Sequence, residues 1–504
     1  MAKISIDKAK ELLKNETLNK NNDKDIVFGA EKNSSESEIQ FIDSYGYNSD
    51  DAIYIFDIDG ENVITSSDDN LPFILGSYNG EFDIDDMPES LKDWLDTYSR
   101  EIEWYRINEK SLEINYGAEE DDYKKNWKST SKIYDNEYLL PFKWNQGRCG
   151  SKDSTNQYYN KYLAYTIYNA KLNLTSYDYD TENKKLLDTI KQKYCGYVAV
   201  GCTQIAIAMT MAYYALVGIN GKKYQIGSKK VSARNLINRL DSTSKYKCEE
   251  LPALTTFDWD NMNNYYDYYN EDGATKSTYI KQKYSETNPK HTSIATFLRY
   301  LAQSSNAKCG FTATSNNAAN IMSAQKNYFG FNKSMIQFRC SGTSTTSKEF
   351  ECKIYNELYN KRPVPIAGWN SKNGSGHFFV VDGYRKDDDM WHFNWGWGGH
   401  YNGWFKITAL NPGGVDDGGN VVTNDSSNFN KNKTIILYDY PTAYQEDIDN
   451  HIQPNIDTIN GSGNNDEDNN VVVDDENLVI KNKTKIDKNF SLTDIKKFIK
   501  DVYW

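Results

Sequence analysis

Basic residues are in the minority: 58 Lys and Arg stand against 71 Asp and Glu, a formal charge of −13 over 504 residues. Phosphate recognition needs concentrated positive charge, so nucleic acid is not expected as a partner. Apolar residues are also scarce, at 38%, while 39 Tyr and 11 Trp supply amphipathic bulk instead. None of the cysteines (Cys149, Cys195, Cys202, Cys248, Cys309, Cys340 and Cys352) forms a C-x-x-C pair, which argues against a zinc ribbon; no metal or cofactor is expected. Their odd number fits one reactive thiol plus up to three disulfides, or seven reduced thiols. The opening Met1-Ala-Lys-Ile-Ser-Ile-Asp7 has no apolar leader core, so the chain is either intracellular or a form without its leader. Long hydrophobic runs are missing too. The one uncharged stretch, Tyr197 to Ile219, is broken by Thr203, Gln204, Thr210 and two glycines, and is expected as a buried helix with no membrane span.

At this length two or more domains are expected, each with its own core. In the first, Ser5 caps a helix with Ile6, Ala9, Leu12 and Leu13 on one face. Asp59-Gly60 joins two strand patterns, Ala52 to Ile58 and Val63 to Thr65, as a hairpin. Leu91, Trp94, Leu95, Tyr98 and Ile102 then recur at helical spacing. Glu119 to Lys128 is rich in charge and reads as an exposed connector, so residues 1–128 form a separate unit. Residues 129–444 hold helices first and strands later, an α+β order: Pro363 to Ala367, Phe378 to Val381, Trp391 to Trp395, Gly403 to Ile407 and Thr434 to Tyr438 read as strands. Residues 445–504 are an acidic linker and a short closing element of unknown role. Asp57, Asp59, Asp68 and Asp69 lack the spacing of an EF-hand and read as solvated acidic turns. The Tyr-rich patch at 265–269 reads as ordinary aromatic packing surface.

The chemistry centres on Cys202, which stands between Gly201 and the apolar helix. At a helix N-terminus the positive end of the backbone dipole favours a thiolate. Far downstream His377, in Gly374-Ser-Gly-His-Phe-Phe-Val-Val-Asp-Gly383, opens a strand and supplies a matching base. A thiolate attacking a carbonyl also needs donors for the developing oxyanion. The Cys202 backbone N–H and the side-chain amide of Gln146, in Trp144-Asn-Gln-Gly147, fit that need. His392 and His400 read as structural or solvent-facing.

Together, Trp144-Asn-Gln-Gly147, Gly201-Cys202, Gly376-His-Phe-Phe-Val-Val-Asp-Gly383 and Asn394-Trp-Gly-Trp-Gly-Gly399 resemble the streptopain family of cysteine peptidases. Asn402 to Pro412 resembles the continuation after that strand, and Ala52 to Gly76 with Leu91 to Leu95 resembles an inhibitory pro-region. The resemblance implies a papain-like fold, a helical subdomain plus an antiparallel sheet subdomain, behind an α+β pro-domain at 1–128. It implies a secreted or cell-surface (or periplasmic) endopeptidase made as a zymogen, with protein or peptide substrates and its own pro-domain as partners. By position it makes Cys202 the nucleophile, His377 the base and Gln146 the oxyanion donor. Trp395 would flank the histidine; Asn394 is its neighbour, and only one of the two can face His377 in a regular strand. Two departures stand out: Thr203-Gln204 after Gly-Cys, and an enlarged stretch from Asn156 to Lys193. The competing readings are a catalytically silent surface-binding or inhibitor protein on the same fold, and an acyl or isopeptide transferase.

Overall fold

Strand β1 (Ile39–Tyr45) opens a meander that continues through β2 (Ile53–Ile58), β3 (Glu61–Ser66) and β4 (Ile74–Asn79). In the β2–β3 turn Asp59 and Gly60 both have positive φ, at 55° and 92°, as a two-residue hairpin with right-handed strand twist requires. The computed structural model describes residues 3–22, 38–48, 51–68, 71–80, 82–84, 87, 89–108, 112–113, 124, 127–130, 138–146, 199–237, 245–264, 289–310, 314–339, 344–369, 376–399, 401–407, 415–416 and 433–442. The enlarged stretch at 156–193, the Tyr-rich patch, His400 and the C-terminal linker lie outside them.

Helix α1 (Ile6–Asn22) buries Ala9 and Leu13 against the meander, and Ser5 Oγ accepts from the Lys8 N–H at 3.2 Å, as expected of its cap. Helix α2 (Glu89–Asn108) buries Leu91, Trp94, Leu95, Tyr98 and Ile102, the whole of the stripe read from the sequence. Asp68 is no solvated turn: it is buried and pairs with Arg106 at 3.3 Å.

The meander does not end at its own edge. Strand β12 (Gly403–Phe405) pairs with β4 through Gly403↔Tyr78, Trp404↔Ser77 and Phe405↔Gly76. Glycine is needed on both sides of this junction, because a Cβ on Gly76 would strike the Phe405 ring and one on Gly403 the Ser77–Tyr78 backbone. The result is one antiparallel sheet of ten strands, ordered β1-β2-β3-β4-β12-β11-β10-β9-β14-β8. Here β8 is Ile336–Arg339, β9 Val364–Trp369, β10 Gly376–Arg385, β11 Met390–Asn394 and β14 Thr434–Leu437, while β5 (Leu112–Glu113) pairs with β13 (Val415–Asp416) and β6 (Arg234–Ile237) with β7 (Lys245–Cys248) outside this sheet. The strands of the first segment therefore share one sheet with later strands, joined at this seam. Pairing partners more than 300 residues apart leave no local signal in the pattern of either strand.

Helix α3 (Cys202–Leu216) is buried along its length from Thr203 to Ala215. It is a core helix, as its interrupted apolar run implied, and no described helix is long and apolar enough to cross a membrane. Against it pack α4 (Pro289–Ser304) and α5 (Ala318–Tyr328), while α6 (Ser344–Tyr359) lies on strands β9, β10 and β14. Four described cysteines, Cys202, Cys248, Cys309 and Cys352, carry free thiols, so three disulfides do not fit the chain. Burial pushes the Cys309 thiol up to about 12, beside Cys248 and Arg299.

Near the end of the last strand Asp439 is fully buried. One oxygen accepts from Gln325 Nε2 on α5 at 2.7 Å, and the other has no partner. Burial, opposed by that hydrogen bond and reinforced by Glu357, raises its carboxyl from 3.8 to about 7. The folded state thus holds a proton that the unfolded chain loses, so stability falls as pH rises from about 4 to about 7. Asp439→Asn mimics the protonated form. It is expected to leave thermal stability near pH 4 unchanged and to raise it at pH 8, by roughly 2–4 kcal/mol, as measured by denaturant unfolding at both pH values.

Candidate active site

Gly201 turns the chain into α3 with φ 90°, and a side chain there would collide with the Thr314 carbonyl. That turn sets Cys202, half-buried, as the first residue of the helix. The Gly201 N–H donates to the Gln146 carbonyl at 3.1 Å, and the Gln146 N–H donates to the Gly396 carbonyl at 2.7 Å. This relay of two backbone bonds brings three distant segments together: the Gly201–Cys202 turn, the Trp144–Gln146 segment and the residues just after β11. A bridge between Asn145 and Trp397 and the Gly398 N–H donating to the Trp144 carbonyl at 3.1 Å secure the same seam. Gly396 leaves its side open for Ile205 and Met209 of α3, where a Cβ would come 2.9 Å from Ile205 Cγ2.

His377 is the second residue of β10, opposite Gly368 of β9, and is half-buried. The β10–β11 register pairs Val380 with Asn394 and Val381 with Phe393, so extending it by one residue sets Phe379 beside Trp395. Their rings lie 4.7 Å apart. Side chains alternate across a strand, so His377 shares the sheet face of Phe379, Phe393 and Trp395. Asn394 points to the other face, where its Nδ2 donates to the Phe142 carbonyl at 2.8 Å and its Oδ1 accepts from the Gly396 N–H at 3.1 Å. Its amide holds the Gln146–Gly396 seam in place.

The face that carries His377 is covered by the first segment. Trp94 of α2 meets Phe393 edge-on at 4.8 Å, Phe379 at 5.8 Å and Trp395 at 6.4 Å. Its indole N–H donates to the Lys406 carbonyl at 3.1 Å, which the Tyr98 hydroxyl also reaches, at 2.5 Å. Lys433 Nζ sits 3.8 Å over the Trp94 ring. The apolar stripe of α2 was legible in the sequence, but its docking surface was not.

Unsatisfied polar atoms gather at the same junction. Gln204 is fully buried with neither end of its amide bonded, Gln146 Oε1 and Trp395 Nε1 are buried without partners, and so is Trp397 Nε1. Such groups are costly away from water and concentrate at working sites. Gln204 was visible in sequence only as a polar residue in an apolar helix. Among the described residues no group of His, Cys, Asp and Glu could hold a metal ion.

His392 is accounted for structurally. It is buried, its Nδ1 lies 2.6 Å from Asp382 Oδ1, and its ring stacks on Tyr138 at 3.8 Å. Asp382 also accepts from the Leu140 N–H at 3.0 Å, so the pair braces the segment leading to Gln146. The sequence reading of His377 as the base predicts that His377→Ala abolishes peptide cleavage while the protein stays folded. His392→Ala should lower the melting temperature while the folded fraction keeps its kcat within about threefold. Equal loss of kcat per folded molecule at both positions, scored by cleavage assay and circular dichroism, would reverse that ranking.

Comparison with known proteins now places the chain. Residues 175–405 match the peptidase C10 family and residues 6–102 match the Spi protease inhibitor family. Streptopain of Streptococcus pyogenes is 25% identical over 375 residues, 73% of this chain and 76% of that protein. The thiol protease/hemagglutinin PrtT of Porphyromonas gingivalis is 36% identical over 130 residues, 25% of this chain and 14% of its own length. A structure of a cysteine-to-alanine mutant of prointerpain A from Prevotella intermedia superposes with a TM-score of 0.53 at 19% identity, covering 81% of this chain and 99% of that one. The fold is papain-like, with an inhibitor-like segment ahead of a cysteine-type peptidase. The peptidase C10 match over residues 175–405 and the streptopain relative together support the streptopain family of cysteine peptidases as the family of this chain.

Proposed function

We propose that this chain is the zymogen of a secreted endopeptidase in which Cys202 is the nucleophile and His377 its base. The observation that supports the reading is the backbone relay joining Gly201, Gln146 and Gly396, because it ties the turn that opens the Cys202 helix to the backbone of Gln146. The Cys202 thiolate attacks the scissile carbonyl carbon, and its charge passes to the carbonyl oxygen. The Cys202 N–H and the Gln146 amide N–H donate to that oxygen; losing one such donor costs about 3 kcal/mol of transition-state stabilisation. The His377 imidazolium then gives its proton to the leaving amine as the C–N bond breaks. In the second half the neutral imidazole takes a proton from water, the hydroxide attacks the thioester, and the thiolate leaves. Trp395 shields the imidazole on the shared sheet face. Asn394 acts one step back, by holding Gly396.

Residues 1–128 act as the inhibitory pro-domain and 129–444 as the peptidase domain, the boundary being refined below. An inhibitor built into the same sheet suits an enzyme released from its cell, since it restrains activity until export. The test uses the full chain before and after proteolytic removal of the first segment. Cleavage of both casein and a peptide blocked at its two ends is expected, rising at least tenfold with removal. Cleavage confined to peptides with a free terminus would contradict an endopeptidase.

A further inference from the structure

Lys124 and Trp127, in the charged connector expected to be exposed, are buried against the later part of the chain. Lys124 is buried, with Nζ 2.6 Å from Glu351 Oε2 on α6 and 3.1 Å from Asp389 Oδ2 in the β10–β11 turn. Burial alone would strip its charge, but the two carboxylates hold the ammonium protonated. The Trp127 ring stacks on Tyr355 of α6 at 4.2 Å with planes 2° apart, and meets Trp391 of β11 edge-on at 6.0 Å. The Lys128 N–H donates to the Tyr355 hydroxyl at 2.8 Å. Thr130 and Tyr384 of β10 clasp each other: the Thr130 N–H donates to the Tyr384 carbonyl at 2.9 Å, and the Tyr384 N–H to Thr130 Oγ1 at 2.7 Å. The Lys386 N–H donates to Ser129 Oγ at 3.1 Å. Each of these partners lies in α6 or the β10–β11 hairpin.

We infer that Lys124 and Trp127–Thr130 form a strap of the peptidase, retained after activation, so the cut that frees the inhibitory segment falls on the N-terminal side of Lys124. The inference rests on the zymogen reading above. Sensitivity to a protease follows the burial and hydrogen bonding of the backbone to be cut; here Lys124, Trp127 and Thr130 are buried, and Lys128 and Ser129, though exposed, are held by hydrogen bonds of the Lys128 N–H and Ser129 Oγ. The strap also has work to do after processing. It ties α6 to Tyr384 on β10, the strand that carries His377 at its other end, and so steadies the base. Composition misled because a lysine flanked by polar residues reads as solvated; its two carboxylates lie more than 200 residues downstream.

The test is limited trypsin digestion of the full Cys202→Ala chain, which cannot process itself, with cuts mapped by mass over time. The bonds after Lys124 and Lys128 are expected to survive at least tenfold longer than the first bond cut N-terminal to them. The large surviving fragment should retain Trp127. Adding Lys124→Met and Trp127→Ala should shorten the survival of the Lys128 bond at least tenfold. Early cutting after Lys124 or Lys128 in the parent chain, or a stable fragment that begins beyond Thr130, would overturn the strap. Full activity of the uncut wild-type chain would instead remove the zymogen reading, and the bond-survival result would stand by itself.

Discussion

Cys202→Ala is expected to lower peptide cleavage by about four orders of magnitude or more, to the background of binding and oxyanion donors alone. The fold should be untouched, because the residue is half-buried at a helix start and its removal leaves the Gly201–Gln146 bond in place. The other described thiols cannot take over. Cys248 and Cys309 are buried, and burial raises both the Cys309 and Cys352 thiols, so neither of these two supplies thiolate at neutral pH. The full-length variant should also persist unprocessed unless another protease is added. Melting temperature and cleavage rate, measured on one preparation, check both halves of the claim.

Trp94→Ala should have the second largest effect, and in the opposite direction. Removing a buried indole from an aromatic cluster typically costs 3–5 kcal/mol, and here the loss weakens the contact between the first segment and the face that carries His377. A tethered inhibitor is held at roughly millimolar effective concentration, so a loss of about 3 kcal/mol raises the undocked population roughly 100-fold. The uncut chain is therefore expected to gain up to about 100-fold in cleavage rate, while the processed enzyme made from the same variant keeps its wild-type rate. A full chain that melts earlier without gaining activity would mean that Trp94 only holds the sheet together.

How far the sequence carried this account depends on whether the cause of each feature was local. The Asp59-Gly60 turn, the Ser5 cap and the α2 stripe depend on residues a few positions apart, and each forms as its pattern requires. The five strand patterns after Pro363 likewise have counterparts in β9, β10, β11, β12 and β14. What escaped was set by partners hundreds of residues away. The β4–β12 seam, Trp94 on Phe393, and Lys124 between Glu351 and Asp389 are all of this kind. At the site, Cys202, His377 and Gln146 were singled out because nucleophilic catalysis demands those residue types. The relay through Gly396 was not, since backbone hydrogen bonds carry no sequence signature. The β10–β11 register assigns Trp395 and Asn394 to opposite faces, as strand alternation implies.

The central claim is that one thiol, Cys202, carries the chemistry and that docking of the first segment restrains it. Its most direct test is labelling with a vinyl-sulfone or epoxide thiol probe, before and after removal of that segment, with the modified residue mapped by mass. Stoichiometric modification of Cys202 alone is predicted, at a rate at least tenfold higher after removal, and its loss in His377→Ala. Modification of Cys248, Cys309 or Cys352 in step with lost activity, or a Cys202 that stays unlabelled in an active enzyme, would contradict the account.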